Sequence, residues 1–215
     1  DRTMRRPLPE DGGTVALEVP QITFTENGDG TVSVTYPESS EMRIEARPPD
    51  AEAVDMTLAV THRGLSVLVS GDESEMTYDY DAAEMGVSLA DLVVEGESVP
   101  RDVVSVEVTA LGMAGQSVVT PGEVRGLEQT ITVAEVTYDV DLPAPEGQQG
   151  SAVFAGSLSS LSFEGMGRIP QDLDMQDMSA AFAAGYAFDG KFGYTNGRTD
   201  FTFVVLVPEI PADVR

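Results

Sequence analysis

The chain has 215 residues, enough for one large domain or two small ones with a real core. It carries 37 acidic and 12 basic residues, a net charge of −25. This charge argues against binding nucleic acid or anionic lipid head groups, because both need cationic contacts. The absence of cysteine excludes disulfides, thiolate zinc sites and cysteine nucleophiles.

The first predicted elements are a flexible arm over residues 1–13 and strands that begin at Thr14. Two alternating apolar runs flank the tract NGDG at residues 27–30, which predicts a β-hairpin because these residues supply the positive φ angles of tight turns. The tract also resembles part of a calcium loop. However, Thr25 and Tyr36 stand where an EF-hand requires acidic ligands, so the turn is favoured.

A short string of residues occurs twice further along the chain. Residues 76–81 read MTYDYD and residues 136–141 read VTYDVD, 60 positions apart (136 − 76). The echo predicts a repeated strand unit, with Tyr78 and Tyr138 buried and the aspartates on the opposite face. A calcium site at Asp79 and Asp81 is the alternative, since side chains at i and i+2 share a face.

The end of the chain predicts one helix and a last hairpin. Over residues 174–185 the apolar residues recur with helical spacing, Asp174 is a cap, and Gly185 is a stop. Asn196-Gly197 predicts a turn that brings aromatic residues face to face. Together these segments predict an apolar groove or interface formed by Met175, Met178, Phe182, Tyr186, Phe192, Tyr194, Phe201 and Phe203.

Roughly a dozen strand candidates, with turns about every 8–12 residues, predict an all-β, mainly antiparallel fold. We expect an elongated curved sheet or open sandwich, built from repeated strand units, with one short helix near 174–185. Residues 14–207 are predicted to form a single domain. Residues 208–215 are an extended tail that suggests the cut end of a longer chain.

Catalytic motifs are weak. His62 is the only histidine, and no G-x-S-x-G nucleophile elbow accompanies it, so we expect a structural or solvent-facing role. The chain also has one lysine and no tryptophan. The sequence therefore predicts no enzymatic activity, no cofactor, no metal site and no transmembrane segment.

Several stretches carry a family resemblance: GDGTVSVTYP around residues 29–37, HRGLSVLVSGDESEMTYDYDA around 62–82, VTYDVD, and the GRIPQDLDMQDMSAAFAAGYAFDGKFGYTNG stretch at 167–197. Over most of the chain, from about Thr14 to Phe203, they resemble an uncharacterised alphaproteobacterial family, a domain of unknown function common in marine relatives of Rhodobacter. The resemblance implies an exported protein with a signal peptide, longer than this chain at both ends. A weaker similarity to AsmA-like envelope proteins implies a curved sheet with an apolar trough and a role in lipid handling.

These observations predict a non-enzymatic cell-envelope protein, periplasmic or secreted, that binds lipid, another hydrophobic ligand or a protein partner on an apolar sheet face. Two alternatives stay open. One is a secreted or surface module of the structural or adhesion type, stabilised by salt or calcium, as its many carboxylates suggest. The other is a subunit of a larger envelope assembly, held through exposed edge strands.

Overall fold

The computed structural model describes residues 2–7, 14–19, 21–47, 52–143, 149–171 and 178–206. Within these ranges the chain forms one open, antiparallel β-sheet and one short α-helix. The predicted all-β, mainly antiparallel fold is therefore confirmed. The predicted hairpin at residues 27–30 is also confirmed, with Asn27 donating its N–H to the Thr31 carbonyl at 2.8 Å.

The strands follow one another in chain order: β1 (Arg2–Pro7), β2 (Thr14–Val19), β3 (Thr23–Glu26), β4 (Val32–Thr35), β5 (Ser39–Ala46), β6 (Val54–Arg63), β7 (Ser66–Gly71), β8 (Met76–Val94), β9 (Glu97–Ser98), β10 (Ser105–Thr120), β11 (Val124–Pro143), β12 (Gln149–Pro170), β13 (Ala187–Gly193) and β14 (Asn196–Leu206). The helix α1 (Met178–Ala183) lies between β12 and β13. Period-2 alternation of apolar and polar residues favours these strands, because successive side chains point to opposite faces.

Two of the long strands each pair with two short strands, one along each half of the long strand. β6 pairs with residues 84–94 of β8, and β7 pairs with residues 76–81 of the same strand. In the same way β13 and β14 pair with the two halves of β12. The sheet is therefore a meander in which long antiparallel strands lie side by side in chain order.

A line of backbone irregularities crosses the middle of these strands. Gly112 of β10 and Ser160 of β12 have φ angles of 59° and 53°, and Ala134 of β11 lies between them in the register. Gly64, at the junction of β6 and β7, has a φ of 68°. Positive φ interrupts the extended conformation of a strand. We call Gly64, Gly112, Ala134 and Ser160 the kink line.

The alternation of apolar residues changes phase at the kink line. In β10 they fall on even numbers up to Ala110 and on odd numbers from Met113, and in β12 the change comes between Leu158 and Leu161. A residue that leaves the extended conformation also breaks the alternation of side chains. The change of phase in the sequence offsets the break in side-chain alternation at the kink line. We therefore infer that the apolar side chains on both sides of the line share one face.

Very little of the described chain is buried. Among the described residues no polar or charged side chain is buried, and the buried hydrophobic ones besides Pro170 are Val34, Ala82, Leu89, Val104 and Ala181. The accessible surface is 14880 Å², whereas a compact protein of 22.8 kDa exposes about 9,600 Å². The described sheet is thus a single layer, and none of the other described elements forms a second layer over its apolar face.

One prediction about the N-terminal end of the chain needs correction. Arg2–Pro7 is not part of a flexible arm but the strand β1, which pairs with β2 along its whole length. Backbone pairing with a neighbouring strand overrides the unfavourable arginine and proline content there. Residues 8–13 and the predicted tail at 208–215 lie outside the described residues.

The described part of the helix, α1 (Met178–Ala183), lies within the predicted range of 174–185; residues 174–177 lie outside the described residues. Gly185, with a φ of 98°, follows its end as expected. Phe182 remains 59% exposed, while Ala181 is buried at 4%. In the described part of the helix the small residue Ala181 is therefore buried, whereas the aromatic residue Phe182 does not pack on the sheet.

The predicted last hairpin is wrong. Asn196 opens β14 and pairs with Ser159 of β12, and the Thr195 N–H donates to the Ser159 carbonyl at 3.0 Å. β13 and β14 both pair with β12 and do not pair with each other. β12 is 22 residues long and offers partners for both segments in line, so the chain continues along it instead of turning back.

Candidate ligand-binding face

One face of the sheet is apolar from strand to strand. The register places apolar residues directly opposite one another, as in Val60 with Val87 and Val133 with Leu161. We call this surface the apolar face. Its larger members include Met42, Ile44, Met56, Leu58, Val60, Met85, Val87, Val108, Met113, Leu127, Ile131, Val133, Val136, Leu158, Leu161 and Phe163. A hydrophobic surface of this kind is normally covered in a folded protein.

Two tyrosines lie across glycines on the apolar face. Tyr80 is opposite Gly115, where a Cβ atom would come within 2.6 Å of the tyrosine ring. Tyr138 is opposite Gly156, where a Cβ atom would again lie 2.6 Å from the ring. The rings therefore occupy the space that a side chain would fill, an arrangement known to protect glycine in sheets.

The two hydroxyl groups reach one strand further. The Tyr80 hydroxyl accepts a hydrogen bond from the Gln129 side-chain amide at 3.1 Å. The Tyr138 hydroxyl hydrogen-bonds the Thr199 hydroxyl. Each tyrosine therefore spans three neighbouring strands and presents the edge and face of an aromatic ring to whatever covers the sheet.

The repeated Tyr-Asp segments are not equivalent, contrary to the prediction. Residues 76–81 precede the kink line in β8, whereas residues 136–141 follow it in β11. Tyr138 corresponds in its geometry to Tyr80, because each of these two rings lies across a neighbouring strand at a position occupied by glycine. Tyr78 and Tyr138 do lie on the apolar face, but half-buried, and the aspartates point to the opposite face as predicted.

The opposite face is polar and acidic, and its aspartates bind neighbouring side chains. Asp79 accepts a hydrogen bond from the Gln116 amide and Asp81 one from the Ser66 hydroxyl, both at 2.7 Å. The described residues contain no group of three or more His, Asp or Glu side chains that could hold a metal ion. Both aspartates hydrogen-bond side chains of neighbouring strands on the polar face, where the alternation of the strand places them.

Two turn aspartates have lowered pKa values. The Thr31 hydroxyl and N–H donate to the Asp29 carboxylate at 2.7 and 3.0 Å and lower its pKa. The Ser74 hydroxyl and N–H do the same for Asp72, at 2.6 and 2.7 Å. Both carboxylates stabilise turns that join neighbouring strands, because they accept hydrogen bonds from residues two positions later.

His62 lies on the apolar face, opposite Met85. Both ring nitrogens are shielded from solvent and have no hydrogen-bond partner among the described residues. Buried polar atoms normally have partners, so this histidine contributes packing area at an energetic cost. No described acidic or nucleophilic side chain hydrogen-bonds it, and a catalytic role has no support here.

The aromatic residues of the predicted groove do not form one patch. Phe192 lies opposite Phe163, and Phe201 lies opposite Phe154. These positions are nine residues apart on β12, or ~30 Å along an extended strand. Phe192 and Phe201 are 62% and 60% exposed, so they extend the apolar face along the edge of the sheet.

Three of the other predicted groove residues, Tyr194, Tyr186 and Met178, lie near the kink line or the helix, and Phe203 lies away from both. Tyr194 contacts the Phe192 ring at a centroid distance of 6.2 Å, and Tyr186 contacts Phe182 at 5.7 Å. Met178 begins α1, and Phe203 of β14 pairs with Ala152 of β12. Met175 lies outside the described residues.

The glycines that shape the apolar face were not predicted from the sequence. Gly115, Gly156, Gly165 and Gly167 all fall on positions where the alternation calls for an apolar side chain. Such glycines mark places where a large neighbouring group lies close to the backbone. The signal available in the sequence was that each of these glycines occupies a position in the alternation where an apolar residue is expected.

Comparison with protein-family models, with curated proteins and with solved structures gives no match. In the described ranges no helix combines the length and the hydrophobicity needed to cross a lipid bilayer.

Proposed function

We propose that this chain is a non-enzymatic protein of the cell envelope, periplasmic or secreted, that binds a lipid or similar hydrophobic ligand on its apolar face. The observation that carries the proposal is the uncovered apolar face of a single-layer sheet. Sheets normally bury such a face against a second layer, and large exposed apolar patches mark binding sites. A hydrophobic ligand supplies the missing layer.

The two tyrosine hydroxyl groups on the apolar face favour a hydrocarbon ligand over a polar one. The Tyr80 and Tyr138 hydroxyls are already hydrogen-bonded to Gln129 and Thr199. A ligand that covers these rings therefore buries no unsatisfied hydroxyl, and leaving one unsatisfied would cost about 1–3 kcal/mol. The assignment to the envelope is supported by the resemblance to exported proteins.

A binding role also fits the location of the groups with shifted pKa values. Asp29 and Asp72 lie in exposed turns, and hydrogen bonding to Asp200 raises the pKa of Arg198 on the polar face. Each shift arises from a hydrogen bond to a residue two positions away. Catalytic groups, in contrast, obtain shifted pKa values from burial and charge partners within a cleft.

The test uses two glutamates on opposite faces of one strand. Ile131 lies on the apolar face of β11, and Thr130 next to it lies exposed on the polar face. We expect the purified chain to bind 1-dodecanol, I131E to bind it at least about tenfold more weakly, and T130E to bind it as the unaltered chain does.

Circular dichroism shows whether both variants keep their strands. If folded I131E binds dodecanol as tightly as T130E, the apolar face is not the binding site and the proposal fails. Native mass spectrometry of the gently purified chain provides a second measurement, with a co-purifying lipid as the expected result. A dimer mass without lipid would instead indicate that a second copy covers the face.

A second candidate function rests on the edge of the sheet. Within the described residues β13 and β14 pair only with β12, so their outer edge presents free backbone N–H and C=O groups. Such an edge can accept a strand from another chain, as in a subunit of a larger envelope assembly. In native mass spectrometry this role predicts the mass of a partner chain in the complex.

A further inference from the structure

A cavity of about 470 Å³ opens on the apolar face, beside the turn that joins β10 and β11. This volume lies in the range of small-molecule sites. The register brings its walls together from four strands, with Met76 opposite Val119, Val119 opposite Leu127, and Arg125 opposite Ile169. Tyr78 contributes the remaining aromatic wall.

Arg125 is the only charged residue in the lining of this cavity. The other cavities described on the sheet all include carboxylates, such as Glu128 and Asp189 in one and Glu107 and Asp139 in another. A cation in apolar surroundings is therefore unusual in a chain of charge −25. Arg125 is exposed and forms no ion pair within the described residues, although Glu123 precedes it in the turn.

We propose that this cavity binds the carboxylate end of a fatty acid, with the hydrocarbon chain on the apolar face. The proposal rests on the proposed function and specifies the head group. A guanidinium binds a carboxylate through two parallel N–H···O hydrogen bonds, while Met76, Val119, Leu127 and Ile169 contact the first carbons of the chain. The position at a strand end leaves the charged head group near solvent, as an amphiphile requires.

The test compares dodecanoate with 1-dodecanol, which has the same chain without the charge, by isothermal titration calorimetry at pH 8. We expect R125Q to weaken dodecanoate binding by about tenfold or more, because a hydrogen bond to a charged group is lost. Dodecanol binding should not change. R125K should retain part of the affinity, since lysine keeps the charge but loses the paired geometry.

The matched control is R168Q. Arg168 lies on the neighbouring strand near the same end of the sheet, but it is exposed on the polar face opposite Gly126. R168Q should bind both ligands as the unaltered chain does. A general effect of lowering the positive charge would weaken dodecanoate binding equally in both variants and would overturn the proposal.

The outcomes separate this proposal from the proposed function. If the unaltered chain binds dodecanol and dodecanoate but R125Q changes neither affinity, the ligand-binding face stands and the carboxylate site is refuted. If the unaltered chain binds neither ligand, the proposed function fails and the carboxylate site fails with it. Tighter binding of dodecyl phosphate than of dodecanoate, lost in R125Q, would replace the carboxylate with a phosphate head group.

Discussion

Replacing Gly115 with alanine should destabilise the sheet, even though alanine normally favours a strand over glycine. An added Cβ would lie 2.6 Å from the Thr130 carbonyl oxygen and 2.6 Å from the Tyr80 ring. The ring can rotate, but the carbonyl belongs to the backbone of β11 and moves only with that strand. Overpacking of this kind costs about 1–3 kcal/mol, which exceeds the roughly 0.5–1 kcal/mol gained by removing glycine.

Urea unfolding followed by circular dichroism measures the change in the free energy of unfolding. G28A is the matched control, since a Cβ on Gly28 meets no atom within 4 Å. Adding Y80A to G115A should recover part of the loss, because the ring contact disappears while the carbonyl contact remains. Equal stability of G115A and G28A would refute the close approach of Tyr80 and Thr130 to Gly115.

Four further predictions test the kink line, the electrostatics and the ligand. S160G should raise the free energy of unfolding by about 0.5–1 kcal/mol in urea, because it removes the cost of a positive φ in a residue with a side chain. E107Q should raise the melting temperature at low salt and not in 1 M NaCl, since Glu107 lies directly opposite Asp139 and salt screens their repulsion. D72N should cost stability at pH 7, and this cost should shrink as the pH falls below the ordinary aspartate pKa of 3.8, because the lowered pKa of folded Asp72 gives stability that is lost once acid protonates the carboxylate. Dodecanol at 100 times its Kd should stabilise the chain by about 2.7 kcal/mol in urea unfolding, and no stabilisation would mean that it does not bind the folded sheet.

The fold class could be predicted because alternation of apolar and polar residues is local information. The hairpin at residues 27–30 could be predicted for the same reason, since its turn chemistry lies within the tract itself. Asn196-Gly197 has equal turn propensity, yet it forms part of β14 because β12 is long enough to pair with both segments. Which of two competing pairings forms depends on a partner distant in sequence, and local propensity does not contain that information.

The position of the candidate face could not be predicted from the sequence. Sequence proximity suggested that Phe182, Phe192 and Phe201 would cluster, but strand geometry spreads Phe192 and Phe201 along β12. The phase shifts around Gly112 and Ser160 were present in the sequence. They could be recognised as a kink only once the register showed that they coincide across neighbouring strands.

The single layer raises the question of what holds the sheet together. Few side chains in the described ranges are fully buried, so backbone ladders and lateral contacts within the faces must provide much of the stability. Tyr80 and Tyr138 contribute to this stability, because each side chain contacts two neighbouring strands and so connects three strands without a second layer. Covering the apolar face with a ligand would stabilise the complex by about 25 cal/mol per Å² of apolar surface buried. Binding of a hydrophobic ligand and stability of the fold therefore draw on the same surface. A substitution such as I131E, which weakens ligand binding, should also lower the stability of the unliganded sheet, because Ile131 lies half-buried opposite Phe163.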